Sequence, residues 1–339
     1  MKVLIIQLRQ LGDILLTTPV IRALKDHAPD AQVDFMTYPM GKLIIPGNSL
    51  VRRHVIAPQQ GVGASLRFLR ELRGERYDYV LDFMATPRSA VIARLIPADK
   101  RIAFQTTRAP FYSVVVPRGV GNQYIVREKF ELLKPIGVLS PDVRMMLPWK
   151  DSDAQVVSSL MRECSSFANA KRRVMLSPTH RRQERQWPAD RWAELALWLE
   201  SSQQASVLWA WGPGEEREID RLIKLSSGAG VKMPKTTFRE LAAITANCDL
   251  FIGNSNGPSH VAVAVNTPSL QLHGPTSATS WCPQTLRHRA VQGDTMSDIL
   301  PIKVESAVAD LWSVVDQHAQ EIRTQGIVTS DADTQRRAW

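Results

Sequence analysis

Apolar residues along the chain follow two patterns, short continuous runs and longer segments with helical spacing. The first run, residues 2–7, reads KVLIIQ, and residues 14–27 place Ile14, Leu15, Ile21 and Leu24 near one helical face. Such runs predict buried strands, and the spaced pattern predicts an amphipathic helix. Further strands are predicted at 33–38, 54–56, 79–83 and 101–104, with helices at 64–73 and 88–95. This alternation of strand and helix is typical of a largely parallel sheet.

A break in the alternation divides the chain. Residues 137–150 include Pro141 and Pro148 and show little periodicity, which indicates a linker between domains. Beyond it, strands predicted at 173–177, 206–211, 250–252 and 269–272 alternate with helices at 152–167, 189–200, 215–225, 241–246, 258–265 and 304–322. We therefore predict an α/β protein with two Rossmann-like domains that face each other across a cleft. The domains are predicted at residues 1–145 and 146–325, with a loose tail at 326–339.

Composition narrows the class of protein. The 339 residues include only three cysteines and no CxxC pattern, which argues against a disulfide framework or a zinc site and suits the cytoplasm. The longest stretch without Asp, Glu, Lys or Arg, residues 250–286, is rich in Asn, Ser, Gly, Pro and Thr and does not resemble a membrane span.

Positive charge is concentrated in the first half of the chain. The whole sequence carries 42 Lys and Arg against 33 Asp and Glu, and residues 1–150 hold 22 of the basic and 12 of the acidic residues. A basic half predicts an acidic partner, such as nucleic acid, an anionic membrane surface or a phosphorylated substrate. Solubility alone is the alternative explanation.

Asp13 follows the first predicted strand, in the segment RQLGDILLTTP. Ligands of open parallel sheets bind at the carboxyl ends of the strands, so a carboxylate at this position is a candidate general base. An aspartate at the first turn of a helix is also a common N-cap. Both interpretations stay open at this point.

The uncharged segment GNSNGPSHVAVAV, residues 253–265, also follows a strand and begins a helix. Convergent backbone N–H groups and the positive end of a helix form a phosphate site without Lys or Arg. The alternative is an ordinary strand-to-helix turn that Ser255 or Asn256 caps. The sequence HGPT, residues 273–276, follows the next strand and is a candidate second part of the same pocket.

Two more strand ends carry charged residues. The segment SPTHRRQERQWP places Arg181, Arg182 and Arg185 after one strand, and arginine is suited to bidentate contact with phosphate. The segment WGPGEE ends the next strand and supplies Glu215 and Glu216, which are candidates for holding ribose hydroxyls. A solvated loop and the acidic first turn of a helix are the respective alternatives.

Together these segments resemble one family. The opening VLIIQLRQLGDILLTTPVIRALK, the segment RRQERQWPADRWAELA and the segment GNSNGPSHVAVAVNTPSLQLHGPT are similar, in order, to motifs of glycosyltransferase family 9. This is the family of heptosyltransferases that build the lipopolysaccharide core. The resemblance covers about residues 1–315, and the opening is similar to the heptosyltransferase III, or Q, branch.

The resemblance implies a GT-B fold whose N-terminal domain receives the acceptor and whose C-terminal domain binds the nucleotide sugar. It implies an inverting, metal-independent transfer of heptose from ADP-L-glycero-D-manno-heptose to the lipopolysaccharide inner core, with no cofactor. The enzyme is expected in the cytoplasm, peripheral to the inner membrane. Its basic half would face the phosphorylated acceptor and the anionic membrane surface, and nucleic acid is not an expected partner.

The resemblance also assigns residues. Asp13 matches the family's catalytic base, Arg185 the basic residue near the donor phosphates, and Gly257 with His260 the phosphate-binding turn. The donor-binding residues expected on this basis are Thr179, Arg185, Glu215, Ser255, Asn256, Gly257 and His260, and no residue is expected to bind a metal. Glu216 is the alternative to Glu215 for the ribose contact. Ser255 stands where the family usually has Asp, and this departure bears on the identity of the donor.

Other functions compete with this interpretation. A nicotinamide-dependent dehydrogenase would use similar domains, but no complete GxGxxG follows the first strand. A degenerate, non-catalytic GT-B protein, or a basic module that binds nucleic acid or a membrane, would need no catalytic residues at the strand ends.

Overall fold

The structure, a computed structural model, describes residues 1–119 and 123–324. Two compact units divide the chain, Met1–Pro148 (unit 1) and Trp149–Trp339 (unit 2). The boundary predicted from the sequence, between residues 145 and 146, precedes this division by three residues. The predicted loose tail at 326–339 lies outside the described residues.

Unit 1 contains a six-stranded parallel sheet in the order β3-β2-β1-β4-β5-β6. Its strands are β1 (Lys2–Ile6), β2 (Gln32–Thr37), β3 (Arg53–Ile56), β4 (Tyr77–Asp82), β5 (Ala98–Phe104) and β6 (Val114–Val116). Its helices are α1 (Leu11–Leu15), α2 (Thr18–His27), α3 (Val62–Arg73), α4 (Pro87–Leu95) and α5 (Ile125–Phe130). The apolar side chains of β1 are fully buried, as the centre of a parallel sheet requires.

Unit 2 contains a second six-stranded parallel sheet, in the order β12-β11-β10-β7-β8-β9. Its strands are β7 (Arg172–Ser177), β8 (Ala205–Trp209), β9 (Val231–Lys232), β10 (Leu250–Asn254), β11 (Ser269–His273) and β12 (His288–Gln292). Its helices are α6 (Asp151–Glu163), α7 (Ser165–Ala168), α8 (Ala189–Ser201), α9 (Glu216–Leu225), α10 (Phe238–Ala246), α11 (Gly257–Ala264), α12 (Ala278–Trp281) and α13 (Pro301–Thr324).

The two sheets share one strand order when strands are counted within each unit. In both, the first strand lies at the centre between the second and the fourth, so the chain reverses direction across the sheet at that point. This switch point lies between β1 and β4 in unit 1 and between β7 and β10 in unit 2. Ligands of doubly wound sheets bind in the crevice at the carboxyl ends of these strands. The predicted α/β class with two Rossmann-like units is confirmed.

Two predicted helices are each two helices in the structure. The helix predicted at 152–167 is divided at Cys164 into α6 and α7. The segment 14–27 was predicted as a single helix, but α1 ends at Leu15 and α2 begins at Thr18. Pro19 has no N–H to donate to the carbonyl of Leu15, and the hydroxyl of Thr18 donates to that carbonyl instead, at 2.7 Å. The proline then lies in the first turn of α2, where it is tolerated.

Three strands and two helices of the structure have no counterpart in the sequence prediction. The strands β6, β9 and β12 each form one edge of a sheet, and their side chains are mostly only partly buried. They therefore lack the continuous apolar run by which the central strands are recognised. The missed helices, α5 and α12, are only six and four residues long. Within the described residues, no helix combines the length and the hydropathy that crossing a membrane requires.

Candidate functional site

Asp13 lies in α1, directly beyond the carboxyl end of β1. Gln10 is the N-cap of this helix, and Asp13 is its third helical residue. The Asp13 carboxylate accepts a hydrogen bond from the Gln10 backbone N–H at 3.4 Å. The N-cap interpretation of Asp13 is therefore wrong. Asp13 lies in the first turn, and its carboxylate binds the backbone N–H of the N-cap residue, Gln10. Its side chain is only partly buried, so the carboxylate can accept a proton from a substrate.

The loop before Asp13 is fixed by the side chain of Gln7. The Gln7 amide nitrogen donates to the carbonyl of Arg9 at 2.6 Å, and its amide oxygen accepts from the Thr17 hydroxyl at 3.4 Å. The Thr17 hydroxyl lies 2.7 Å from the carbonyl of Asp13. Gln7 therefore connects the end of β1 with both ends of the short segment that carries Asp13.

Lys129, on α5, extends into this same region. Its ammonium group donates to the Gln7 amide oxygen at 3.3 Å and lies 5.2 Å from the centre of the Phe83 ring. The residue is only 6% exposed. Burial lowers the pKa of Lys129 to about 8, although the charges of Asp13 and Glu128 act in the opposite direction.

In unit 2, two asparagines join the ends of the central strands β7 and β10. The Asn254 amide donates to the carbonyl of Pro178 at 2.6 Å. The Asn256 amide donates to the Ser177 hydroxyl at 3.1 Å and to the carbonyl of Thr179 at 3.0 Å. These bonds cross the switch point of the sheet and fix the two loops that line its crevice.

The N-terminus of α11 opens into this crevice. Asn256 is the N-cap and accepts from the Ser259 backbone N–H at 3.2 Å, so Asn256 rather than Ser255 caps the helix. Gly257 is the first helical residue, and apart from its two chain neighbours and the backbone of its own helix, no atom of the described residues lies within 4 Å of where a Cβ would stand. The Ser255 backbone N–H donates a hydrogen bond to the carbonyl of Leu272 at 3.3 Å. The geometry leaves room for a ligand against the positive end of the helix.

Buried nitrogen atoms line the same region. Among the described residues, neither Nε of Arg185 nor Nδ1 of His260 has a hydrogen-bond partner, although both atoms are buried. Such atoms cost free energy unless a ligand or water satisfies them. Burial lowers the pKa of His260 to about 4, and burial together with the charge of Arg185 lowers that of His273 to about 4. Both rings are therefore neutral at neutral pH.

Trp187 holds the loop that carries Arg185. Its backbone N–H donates to the Asn254 side chain at 3.2 Å, and its ring N–H donates to the carbonyl of Ile299 at 2.8 Å. The ring also packs edge-on against Trp192, with centroids 5.1 Å apart. These contacts place Arg185, two residues earlier, beside the ends of the central strands.

Thr179 and Glu215 are in direct contact. The Thr179 hydroxyl and the Gly212 backbone N–H each donate to the same Glu215 carboxylate oxygen at 2.7 Å. Glu216 instead accepts from the Lys232 ammonium at 3.1 Å. Of the two glutamates considered for a ribose contact, only Glu215 is joined to the loop after β7.

The donor-site residues expected from the sequence thus lie together at one crevice of unit 2, and Asp13 lies at the corresponding position of unit 1. Four residues of these regions were not anticipated: Gln7, Lys129, Trp187 and Asn254. A polar residue at the end of an apolar strand is a signal that could have identified Gln7 and Asn254. In the part of the chain that the structure describes, no group of three or more His, Cys, Asp or Glu is arranged to hold a metal ion.

Comparison with known proteins gives consistent results. Residues 65–299 match the family described as glycosyltransferase family 9 (heptosyltransferase). The lipopolysaccharide heptosyltransferase 3 of Escherichia coli K12 is 27% identical over 300 residues, which cover 82% of this chain and 84% of that protein.

Solved structures show the same fold. A family 9 glycosyltransferase from Veillonella parvula has a TM-score of 0.81 at 18% identity, covering 93% of this chain and 97% of that one. The Escherichia coli heptosyltransferase WaaC, solved with ADP, has a TM-score of 0.70 at 19% identity, covering 92% and 100%. These likenesses support the GT-B fold class. Because the family match spans well over half of the sequence, the chain belongs to glycosyltransferase family 9, the heptosyltransferase family.

Proposed function

We propose that this protein transfers heptose from ADP-L-glycero-D-manno-heptose to the inner core of lipopolysaccharide. The observation that carries the proposal is the crevice of unit 2, where buried nitrogens of Arg185 and His260 lie with the N-terminus of α11. A diphosphate supplies the acceptors and the negative charge that these groups lack. Family membership and the names of the relatives support heptose as the sugar and lipopolysaccharide as the acceptor.

The proposed reaction is a single displacement with inversion. The acceptor hydroxyl oxygen bonds to the anomeric carbon of the heptose while the bond from that carbon to the ADP phosphate oxygen breaks. Asp13 takes the hydroxyl proton as general base. The electron pair of the broken bond leaves with ADP. Arg185 and the positive end of α11 balance the charge that develops on the phosphates, so the proposal includes neither a metal ion nor a cofactor.

The remaining residues hold the nucleotide. We assign the ribose contact to Glu215, because its carboxylate is oriented by Thr179 and Gly212, whereas Glu216 pairs with Lys232. Asn256 and Gly257 present the helix end to the phosphates. Ser255, in place of the family's usual Asp, contributes its backbone to this turn. A comparison of ADP-heptose with UDP-linked sugars in a transfer assay tests the donor.

Asp13→Asn tests the general base. Asparagine retains a side-chain oxygen for the Gln10 N–H, so we expect folding and ADP binding to be unchanged while transfer falls by about 10²- to 10⁴-fold. The measurement is product formation with ADP-heptose and an inner-core acceptor, with and without EDTA. Full activity of the asparagine variant would remove Asp13 from the mechanism, and loss of wild-type activity in EDTA would contradict metal independence.

Arg185→Ala tests the phosphate site. Loss of a charged hydrogen bond should weaken ADP binding, measured by calorimetry, by about 1.5–3 kcal/mol. Arg182→Ala is the matched control, because Arg182 lies on the same loop and is exposed. Equal ADP affinities for wild type and the Arg185 variant would place the phosphates elsewhere.

We also propose peripheral contact of unit 1 with an anionic membrane on the cytoplasmic side. On α3, Val62, Leu66, Arg70 and Arg73 share one helical face, and Val62 and Leu66 are 79% and 63% exposed. An exposed stripe of apolar and basic residues suits the boundary between anionic headgroups and acyl chains.

Vesicle binding tests this contact. Wild type should sediment with anionic vesicles and less so as salt rises, and Leu66→Ser with Arg70→Ser should reduce binding. Arg217→Ser, which removes a positive charge from unit 2, is the control. Equal binding to neutral and anionic vesicles would refute the contact.

A further inference from the structure

Two arginines at the carboxyl edge of the unit 1 sheet have no role in the mechanism described so far. Arg88 lies in the first turn of α4, directly after β4, and Arg108 lies on the loop between β5 and β6. Both side chains are partly buried. Among the residues that the structure describes, neither arginine pairs with a carboxylate, and each donates to backbone carbonyls instead. The edge at which they lie is the one where doubly wound sheets bind their ligands.

Arg88 extends from β4 toward the ends of β2 and β3. Its guanidinium donates to the carbonyls of Pro58 and Gln59, the latter at 2.7 Å, on the loop after β3. Its Cζ lies 5.8 Å from the centre of the Tyr38 ring, which follows β2. The Tyr38 backbone N–H in turn donates to the carbonyl of Leu8 at 2.9 Å, just beyond β1. These contacts use only part of the N–H donors that a guanidinium carries.

Arg108 approaches the same switch point from β5. Its guanidinium donates to the carbonyl of Ala85 at 3.3 Å, on the loop between β4 and α4. The sulfur of the neighbouring Met84 accepts from the Leu8 backbone N–H at 3.1 Å. Leu8 begins the loop that carries Asp13. Both arginines are thus connected, through one intermediate residue or segment, to the loop of the proposed base.

The acidic residues of unit 1 do not balance these two positive charges. Of the 12 Asp and Glu of this unit, two lie at the opposite edge of the sheet, Asp26 at the end of α2 and Asp30 before β2. Asp82, at the end of β4, accepts from the Tyr112 hydroxyl at 2.7 Å and from two backbone N–H groups. Apart from Asp13, the others form ion pairs with other cations: Asp34, Glu71, Glu75, Asp78, Asp99, Glu128, Glu131 and Asp142.

We infer that Arg88 and Arg108 form an anion-binding site in the unit 1 crevice, and that this site takes an oxyanion of the acceptor, a sugar phosphate or a sugar carboxylate. Arginine binds both kinds of oxyanion through paired, charge-assisted hydrogen bonds. The inference rests on the proposed function, because it names the group by which the acceptor proposed there is recognised. Binding of the oxyanion between the two arginines holds the acceptor at the end of the sheet where Asp13 lies.

Three forms of one acceptor test the site. The acceptor is a soluble inner-core oligosaccharide without acyl chains, so that no membrane takes part. It is assayed intact, after removal of its phosphates by phosphatase, and with its carboxylates converted to methyl esters. For wild type, kcat/KM should fall by about tenfold or more for the form that lacks the recognised oxyanion, and should stay unchanged for the other. That difference identifies the oxyanion.

A double variant, Arg88→Gln with Arg108→Gln, removes both charges. Its kcat/KM for the intact acceptor should fall to the level that wild type shows with the modified acceptor. Removing the oxyanion should then have no further effect on the variant, because the two changes eliminate the same interaction. ADP affinity, which reports unit 2, should be that of wild type.

Conservative substitutions separate anion binding from support of the loops. Arg88→Lys and Arg108→Lys keep the charge and should retain part of the preference for the intact acceptor. Arg94→Gln is the matched control, since Arg94 is an exposed cation in the last turn of the same helix α4, and it should keep the full preference. The melting temperature records the loss of the carbonyl contacts, which support of the loops alone also predicts.

Three results would overturn the inference. The first is a wild type that uses all three acceptors equally well. The second is a double variant that keeps the wild-type preference, and the third is a lowered melting temperature with an unchanged preference, which would show support of the loops alone. If wild type transfers heptose to none of these acceptors, the proposed function is wrong. Calorimetric binding of the same acceptors to wild type and the double variant then decides the arginine site independently.

Discussion

Asn256 performs two tasks in unit 2, capping α11 and joining the ends of β7 and β10. Asn256→Ala removes the cap to Ser259 and the hydrogen bonds to Ser177 and Thr179. Loss of an N-cap costs about 1 kcal/mol, and each neutral hydrogen bond contributes about 1 kcal/mol. We therefore expect the free energy of unfolding of unit 2 to fall by about 3 kcal/mol.

Asn256→Asp separates the two tasks. A carboxylate keeps the acceptor for the Ser259 N–H and can accept from the Ser177 hydroxyl, but it cannot donate to the carbonyl of Thr179. The loss of stability should therefore be smaller, about 1 kcal/mol. The new negative charge lies at the helix end that is proposed to hold the donor phosphates. ADP binding should consequently weaken at least as much as in Asn256→Ala.

The tryptophans provide a selective assay. All nine lie between residues 149 and 339, so tryptophan fluorescence during urea unfolding reports unit 2 alone. Calorimetry gives the ADP affinity. Asn247→Ala is the control, because its amide makes one hydrogen bond, to the carbonyl of Ala243 at 2.9 Å, away from the crevice. A loss below 1 kcal/mol for Asn256→Ala, or wild-type ADP affinity for Asn256→Asp, would refute the assignment of these two tasks.

Three further changes test other parts of the molecule. Asp34→Asn should destabilise unit 1 by about 3 kcal/mol, measured by circular dichroism, because it breaks the buried ion pair with the partly exposed Arg52. The pKa of Lys129 is lowered from 10.5 to about 8, so the unfolded chain binds more protons between these values and stability rises with pH there. Measured by urea unfolding, the free energy of unfolding of wild type should rise by about 3 kcal/mol from pH 8 to 10.5, relative to that of Lys129→Met. A difference between the two proteins that stays constant with pH would contradict the lowered pKa. Trp187→Phe removes the hydrogen bond to Ile299, and we expect weaker ADP binding by calorimetry because the Arg185 loop loses an anchor.

The central parts of both sheets could be predicted from the sequence, because burial on both faces produces runs such as KVLII in β1 and LFI in β10. An edge strand has a neighbouring strand on one side only. The two residues of β9 are only partly buried and are too few to form an apolar run. The division of the helix at residues 14–27 was predictable in principle from Pro19, whose missing N–H prevents a continuous helix.

The crevice of unit 2 was also predictable, since its residues follow β7 and β10 directly along the chain and strand ends meet at one edge. Lys129 was not. It contacts Gln7, a residue 122 positions away, and it lies in the segment IVREKF beside two other charged residues. Sequence spacing cannot show which of these side chains points inward, because tertiary packing decides it.

The shared strand order has a consequence for folding. The crevice of each unit exists only when the fourth strand has docked against the first, and that contact joins β1 to β4 and β7 to β10, each more than 70 residues apart along the chain. Closing such long loops is entropically costly and slow, so contacts of this kind form late relative to local ones. During synthesis the crevice of unit 2, the proposed donor site, is therefore incomplete until the segment ending at Asn254 has left the ribosome, although β7 and β8 are already available to pair. Nucleotide binding by nascent chains of increasing length should begin abruptly beyond α11, rather than grow in proportion to the folded fraction of unit 2.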